Sequence, residues 1–486
     1  MHTKEAIQLF HQAVKDIPAY QKFLANEHFD PASVVDETSF KQIPLITKKN
    51  YLTQFDLNDL TWPGERRDLM LFSTSSGSTG EPYNFPRDNE ISRRYSTLLE
   101  PFIKQSSYGP GKTLFIIGFG MGVWIAGVAT LRALEMVAER TKQPTTIAIL
   151  PTGYNKTEIF KALRNLSPQF DQTVIMGYPP FIKELIDEAA EENIDLKKLS
   201  VRIVLGAEAC TEAFRDYICQ QAGVSNVYLD SMNIYGTTEV GALACETPLT
   251  VLLRRLAARD TLLFGDMFGQ TEKTPTLAQY NSDHLLVESV DSQLVLTTDG
   301  VLPLMRYAIG DVGGVFNFSE IVRLLNHYGI DLDREMRLAK INKRLINRNL
   351  PFVYVYERAD FSVTLHGLNI YPEFIKEALL QPALAGNLTV RFTMSTKFNK
   401  HHDQYLEINL ELQRGIEPST ALETIVLKQI IKTLIQKSSE FAEVARNHDP
   451  ERLIRLNLLA KNQPPYFAPG TKHHWVEKSA DIAMAP

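Results

Sequence analysis

The sequence predicts an α/β protein: a large N-terminal domain of mostly parallel sheets flanked by helices, followed by a small α+β domain. Two observations carry this expectation. Between Met70 and about Gly241, short apolar runs alternate with helical patterns, and such alternation buries strands in a parallel sheet with helices on its faces. After Asp360 the pattern becomes two long strand-like segments and one amphipathic helix. A chain of 486 residues also exceeds what one core ordinarily holds, so two units are expected.

The elements follow in order. Ile7, Phe10, Val14, Ile17 and Phe23–Leu24 recur near helical spacing, so the first 50 residues read as helix and then loop. LFII at Leu114, TTIAIL at Thr145, TVIMG at Thr173, VRIVLG at Val201 and NVYLD at Asn226 read as strands, with FIKELIDEAAEEN as an intervening amphipathic helix. The stretch from Thr247 to Ser282 reads as helical elaboration, and HLLVESV with QLVLTT as a hairpin. LTVRFTMST, YLEINLELQRG and a helix from about Pro418 to Ala445 make the final unit.

Composition removes several function classes. With 44% hydrophobic and 22% charged residues the chain is globular, and 51 basic against 57 acidic side chains give a net charge of −6. No basic stripe with interleaved aromatics is present, which argues against a nucleic-acid partner. Cys210, Cys219 and Cys245 are too few for a disulfide framework and suggest reduced thiols in a cytoplasmic protein. The opening MHTKEAIQLFHQAV has charges throughout and lacks the apolar core of a signal peptide. Thr113–Leu131 is uncharged over 19 residues, but Gly118, Gly120, Gly122 and Gly127 interrupt it. A strand, a glycine turn and a buried helix account for it without a membrane span.

Four stretches carry chemistry. In Ser73–Pro82, STSSGSTGEP, hydroxyl residues alternate with glycines. Glycine lets backbone N–H groups approach an anion and hydroxyls add uncharged donors, so this loop suits a polyphosphate. It lacks the lysine of a Walker A loop. In Asn233–Gly241, NIYGTTEVG, Tyr235 is placed to stack on a base, Thr238 to donate to a phosphate and Glu239 to hold a hard cation. In Met305–Gly313, MRYAIGDVG, Asp311 follows a glycine turn and suits ribose hydroxyls. Arg358–Pro372, RADFSVTLHGLNIYP, pairs Arg358 with Asp360 ahead of the final unit. Two other signals are weaker. Gly118-x-Gly120 follows a strand, but the third glycine of a dinucleotide fingerprint is replaced by Val123. His401–His402 and His473–His474 are adjacent pairs, which point to opposite faces of a strand and rarely chelate together.

Taken in order, the Ser/Thr/Gly loop, Y-G-T-T-E, R-Y-x-x-G-D and R-x-D resemble the adenylate-forming superfamily of acyl-CoA synthetases, peptide-synthetase adenylation domains and luciferases, over nearly the whole chain. FKQIPLITKKNYL at Phe40–Leu52 and the short loop SSGSTGEP look most like the phenylacetate–CoA ligase branch. The resemblance implies ATP-dependent activation of a small-molecule carboxylic acid as acyl-AMP, then transfer to a thiol, with ATP, Mg²⁺ and CoA as cofactors. A carrier-protein thiol or an amine is the alternative acceptor, and a non-catalytic nucleotide- or acyl-binding relative is the alternative class. A homodimer stays open.

It further implies that Ser75, Ser76, Gly77, Ser78, Thr79 and Gly80 hold the β- and γ-phosphates. Gly206, Ala207 and Glu208 would border the adenine, Tyr235 and Gly236 would lie against it, and Thr238 would meet the α-phosphate. Glu239 would ligate Mg²⁺, Asp311 would grip the ribose and Arg358 would join the nucleotide site. Asp360 would be the hinge between residues 1–357 and a mobile lid at 358–486. Lys472 is the expected lid lysine, with Lys478 as fallback. Tyr178 and Gly120 would line the acyl pocket, with Trp124 nearby.

Overall fold

The computed structural model describes residues 1–63, 71–74, 83–122, 125–142, 145–206, 209–269, 274–343, 346–347, 349–356, 363–365, 368–398, 404–438, 441–442, 445, 449–467 and 475–476; the side chains of Pro180, Thr364, Leu368, Asn369, Phe398 and Gln404 are not among them. The N-terminal segment forms α1 (Thr3–Asp16) and α2 (Pro18–Asn26), then short helices α3 (Glu37–Phe40) and α4 (Leu57–Leu60). Pro18 sits at the first turn of α2, where its missing N–H costs nothing, and it separates the two helices. A hairpin of β1 (Leu71–Thr74) and β2 (Asn84–Arg87) flanks the Ser/Thr/Gly loop.

The alternating region then runs through α5 (Asn89–Lys104), β3 (Lys112–Ile117), α6 (Ile125–Arg140), β4 (Thr146–Leu150) and α7 (Lys156–Asn165). It continues with β5 (Gln172–Gly177), α8 (Pro179–Ala189), β6 (Val201–Gly206), α9 (Glu212–Ala222), α10 (Val227–Asp230) and β7 (Ser231–Thr237). Strands β3 to β7 pair in parallel in the order β4-β3-β5-β6-β7, as the alternation predicts. Every residue of β5 and β6 is buried, and apart from Gln172, Thr173 and Arg202 they are apolar or glycine, as a strand covered on both faces requires. The expected strand NVYLD is instead the short helix α10. Asn226 accepts hydrogen bonds from the backbone of Tyr228 and Leu229, and this cap turns the chain before β7 begins.

The sheet continues as an antiparallel half. Its strands are β8 (Gly241–Cys245), β9 (Thr276–Tyr280), β10 (Leu285–Val290), β11 (Gln293–Thr298), β12 (Leu304–Phe316) and β13 (Phe352–Tyr356). Helices α11 (Pro248–Ala257), α12 (Thr261–Phe268), α13 (Phe318–His327) and α14 (Leu332–Leu338) are interspersed. Eleven strands thus form one mixed sheet in the order β10-β11-β12-β13-β9-β8-β7-β6-β5-β3-β4. Asp291 and Ser292, both at positive φ, form the tight turn of the expected β10–β11 hairpin.

A smaller unit follows, with β14 (Val363–Leu365), β15 (Leu368–Ile370), α15 (Pro372–Leu379), β16 (Leu388–Phe398), β17 (Gln404–Leu412), α16 (Thr420–Lys437) and β18 (Ile454–Leu459). β16, β17 and β18 form its three-stranded sheet. α16 is shorter than the sequence suggested, because the chain is extended at Ser438.

Among the described residues four buried clusters pack against the large sheet, and three of them bear on the site and on the junction with the smaller unit. α5 and α6 supply Tyr95, Leu99, Ala133 and Val137 to one, against Phe115, Val174 and Val204 of the parallel strands. The N-terminal helices bury Phe10, Tyr20 and Leu24 in a second, with Leu243, Ala278 and Val353 of the antiparallel half. A third joins α7, α8 and α9 to the smaller unit through residues such as Ile182, Ile186, Val390 and Phe392. Charges line the same junction. Glu188 of α8 is held by Lys156 at 3.1 Å and by Lys461 of the smaller unit. Glu184, one turn earlier, pairs with Lys156 at 2.7 Å and lies 3.8 Å from Arg391 of β16. Among the described residues no helix is long and apolar enough to cross a membrane.

Candidate active site

The motif Asn233–Gly241 occupies β7 and the turn into β8. Its shape is fixed by glycines: a Cβ at Gly236 would stand 2.8 Å from the Gly241 carbonyl oxygen, and Gly241 has φ +86°. The bases of these strands are pinned by buried charge. Glu246 receives Arg215 and Arg254, each at 2.5 Å, and the backbone N–H of Asn233 at 2.9 Å. All three charged side chains are fully buried, so the carboxylate is neutralised and hydrogen-bonded where solvent cannot reach it.

Tyr235 donates its phenolic hydrogen to Asp311 of β12 at 2.6 Å, so the expected base-stacking and ribose-binding residues stand side by side. Tyr307, also on β12, donates to the Glu239 carboxylate at 3.2 Å. Arg87 of β2 donates to the Glu239 carbonyl at 2.7 Å and to the Ser73 hydroxyl at 2.9 Å. It therefore ties the strand entering the Ser/Thr/Gly loop to the Thr-Thr-Glu turn. Burial draws the Arg87 guanidinium down to about 10, partly offset by Glu239 and Asp88; it stays protonated at neutral pH. Arg306, at φ 46°, donates to the carbonyls of Lys41 and Ile43 and pairs with Glu288. Ile46 bridges Tyr307, so the segment Phe40–Leu52 lies directly against β12.

A cavity of about 210 Å³ opens at the carboxyl ends of the parallel strands. Gly236, Thr237 and Thr238 of the β7–β8 turn, Thr74 and Gly206 give it one polar, glycine-rich set of walls. Phe119, Ile125, Ala126, Ala129, Ile234 and Ala242 give it an apolar set. Gly120 and Tyr178, the expected acyl-pocket residues, both line it. Tyr178 packs edge-on against Tyr154 and stacks on Phe181. Gly206, Gly236 and Thr238 are thus brought together with Gly120 and Tyr178, while Tyr235, Glu239 and Asp311 cluster beside the same turn. Ligands of open α/β sheets settle at this end of the strands.

Ser75, Ser76, Gly77, Ser78, Thr79, Gly80, Trp124, Ala207, Glu208, Arg358, Asp360, Lys472 and Lys478 lie outside the described residues, as do both histidine pairs. Three site residues escaped the sequence: Arg87, Tyr307 and Tyr95, the last a cavity-lining residue of α5. Among the described residues no group of three or more His, Cys, Asp or Glu could hold a metal. Glu239 is a single half-buried carboxylate beside a hydroxyl-lined cavity. That donor set suits Mg²⁺, which takes one or two carboxylates and completes its shell with phosphate and water.

No protein-family model matches the chain, and no curated protein matches its sequence. Solved structures do match. A 2-hydroxyisobutyryl-CoA ligase in the postadenylation state, in complex with 2-HIB-AMP, superposes with a TM-score of 0.65 at 14% identity, over 98% of this chain and 88% of that one. The thioesterification state of that ligase, with 2-HIB-AMP and CoA, gives 0.53 at 14% identity over 97% and 87%. Its open conformation gives 0.52 at 14% identity over 97% and 89%. The fold is that of the adenylate-forming ligases. Within that class, the 2-hydroxyisobutyryl-CoA ligase is similar to this chain along almost its entire length.

Proposed function

We propose that the protein activates a carboxylic acid with ATP, forming acyl-AMP and releasing pyrophosphate, and then transfers the acyl group to a thiol, CoA in the first instance, in the manner of the phenylacetate–CoA ligase branch. The observation that carries this reading is the cavity that joins Thr238 and Gly236 to an apolar chamber, with Tyr235, Asp311 and Glu239 beside it. The acid's carboxylate would lie at the Thr238 wall and its hydrocarbon part in the chamber.

A carboxylate becomes a good electrophile only when one oxygen joins a good leaving group, and its attack on the α-phosphate brings anions together. In this reading Ser75–Gly80 hold the β- and γ-phosphates, Gly206, Ala207 and Glu208 border the adenine, Tyr235 stacks on it and Asp311 holds the ribose beside Arg358. Thr238 donates to the α-phosphate, and Lys472 reaches it from a lid comprising residues 358–486 that turns about Asp360. Mg²⁺ held by Glu239 would screen the phosphate charge. The water-sensitive anhydride favours a closed site until the acceptor arrives. The test is ATP–pyrophosphate exchange over a panel of acids. Exchange should appear with at least one acid and be lost in Glu239→Gln; a broad panel without exchange sinks the reading.

A further inference from the structure

We propose that a second cavity, at the opposite ends of β7 and β8 from the first, binds a neutral molecule of one or two rings that carries a carboxamide. This site does not depend on the acid-activation reading. Ser231 and Met232 at the start of β7 and Cys245 at the end of β8 line it, whereas Gly236, Thr237, Gly241 and Ala242 at the other ends line the first cavity. The second cavity measures about 400 Å³, within the range of small-molecule sites. About 150 Å³ holds benzene, so two fused rings fit.

The buried lining residues form its floor. Three of them are polar, Ser231, Glu246 and Gln279, and each is engaged by the protein. The Ser231 hydroxyl donates to the Val227 carbonyl at 2.6 Å and accepts from Arg215 at 3.0 Å. The Gln279 amide accepts from the Thr247 hydroxyl at 2.8 Å and donates to the carbonyls of Asn347 and Leu350, each at 3.1 Å. Glu246 is held by Arg215, Arg254 and the Asn233 N–H. Even the carbonyls of Phe102 and Leu229, two more lining residues, are taken by Arg202, at 2.6 and 3.1 Å. What the floor leaves for a ligand is carbon, from Leu98, Phe102, Leu229, Met232 and Leu249. A charged group pushed onto it finds no free partner among these residues, so an apolar ring system belongs there.

The half-buried and exposed lining residues form the rim, and it is rich in amides. The side-chain oxygens of Asn281 and Asn347 accept from the backbone N–H groups of Asp283 and Asn349 at 2.9 and 3.0 Å. Each asparagine keeps its NH₂ group, two donors, without a partner among the described residues. Asp283, exposed, is the one charged side chain of the described rim and supplies an acceptor. Donors for a carbonyl and an acceptor for an N–H on one rim are the complement of a carboxamide. A carboxylate brings no hydrogen and is repelled by Asp283, and an ammonium brings no acceptor for the two asparagines.

The experiment is NMR of the full chain labelled with ¹³C at the methionine methyls, titrated without ATP with 2-naphthamide, 2-naphthoate and 2-naphthylmethylamine. The Met232 resonance is assigned by its loss in Met232→Leu. 2-Naphthamide should shift that resonance saturably and show intermolecular NOEs from the Met232 methyl to its ring protons. The acid and the amine should bind there about tenfold or more weakly. Asn281→Ala combined with Asn347→Ala lies on the rim, so the fold should persist, read from the other methionine methyls, while the amide falls to the level of the acid and the amine. No shift of Met232, a shift without NOEs to the ring, equal binding by the three probes, or an amide preference that survives the double substitution overturns the proposal. Because no nucleotide is present, the outcome stands whether or not any acid supports ATP–pyrophosphate exchange.

Discussion

Tyr235 and Asp311, 76 positions apart in sequence, are joined by a 2.6 Å hydrogen bond in which the tyrosine donates. The bond couples the β7 motif to the β12 motif, so the two would meet a nucleoside as one surface. Asp311→Ala should weaken ATP binding by roughly tenfold or more, since hydrogen bonds to a charged group are worth about 1.5–3 kcal/mol. Tyr235→Phe keeps the ring and should cost only a few-fold, whereas Tyr235→Leu should cost more. Titration calorimetry with ATP decides it; unchanged affinity in Asp311→Ala would remove the ribose role.

Arg87 joins Ser73 to the Glu239 carbonyl from a buried position. Arg87→Met should destabilise the fold by about 1–3 kcal/mol, because buried acceptors are left unpaired. It should also lower exchange turnover more than it raises the KM for the acid, since the acid chamber does not include this residue. Denaturant unfolding and steady-state kinetics give the two readouts.

Glu246 sits between Arg215 and Arg254 with no solvent access. Removing one member of such a set leaves an uncompensated buried charge and costs about 3–5 kcal/mol. Glu246→Ala should therefore lower the urea midpoint strongly or prevent folding, while Glu246→Gln should be milder. A variant as stable as the parent in urea would contradict this account of the strand bases.

The junction of the two units predicts a pH dependence. Burial alone would raise the Glu188 carboxyl, but Lys156 and Lys461 outweigh it and hold it below its ordinary value. For Lys156 burial pulls downward, yet Glu184 and Glu188 leave it raised. A depressed carboxyl contributes stability that is present above its unfolded value and lost as pH falls through the folded one. A raised lysine contributes stability that is lost as pH rises through its folded value. The difference in Tm between the parent and Glu188→Gln should thus be full near neutral pH. It should shrink below about pH 4.3, the ordinary glutamate value, and again above about pH 10.4, the ordinary lysine value. Differential scanning calorimetry across pH checks the shape; a flat difference would show that the contact carries nothing.

The parallel half of the sheet was legible because LFII, TVIMG and VRIVLG are almost wholly apolar and buried on both faces; Arg202, buried against Asp230, is the one charge in them. NVYLD misled because its composition suits a strand, while one side-chain cap at Asn226 decides otherwise. The β10–β11 hairpin could be read locally, but its place in the same sheet as β3 depends on pairings far apart in sequence. In the site, residues carried on motifs were legible, and the structure brings Gly120, Tyr178, Gly206, Gly236 and Thr238 to one cavity. Arg87 and Tyr95 belong to no pattern; only the approach of separate elements gives them partners. FIKELIDEAAEEN was legible as an amphipathic helix, but not that Glu184 and Glu188, which their four-residue spacing puts on one side, meet the smaller unit.

The packing of the N-terminal helices also bears on how the chain is made. Phe10, Tyr20 and Trp62 share a buried cluster with Leu243 and Val353, so the earliest residues complete their core with some of the latest strands of the large sheet. Trp62 and Leu243 are roughly 180 residues apart, which at about 5–20 residues per second is on the order of 10–40 s of synthesis. Throughout that interval α1 and α2 can pack on each other, on α3 and α4 and on Tyr51, but they lack the sheet residues that complete their core. A nascent chain of this protein should therefore recruit holding chaperones early and release them only after β13 has emerged.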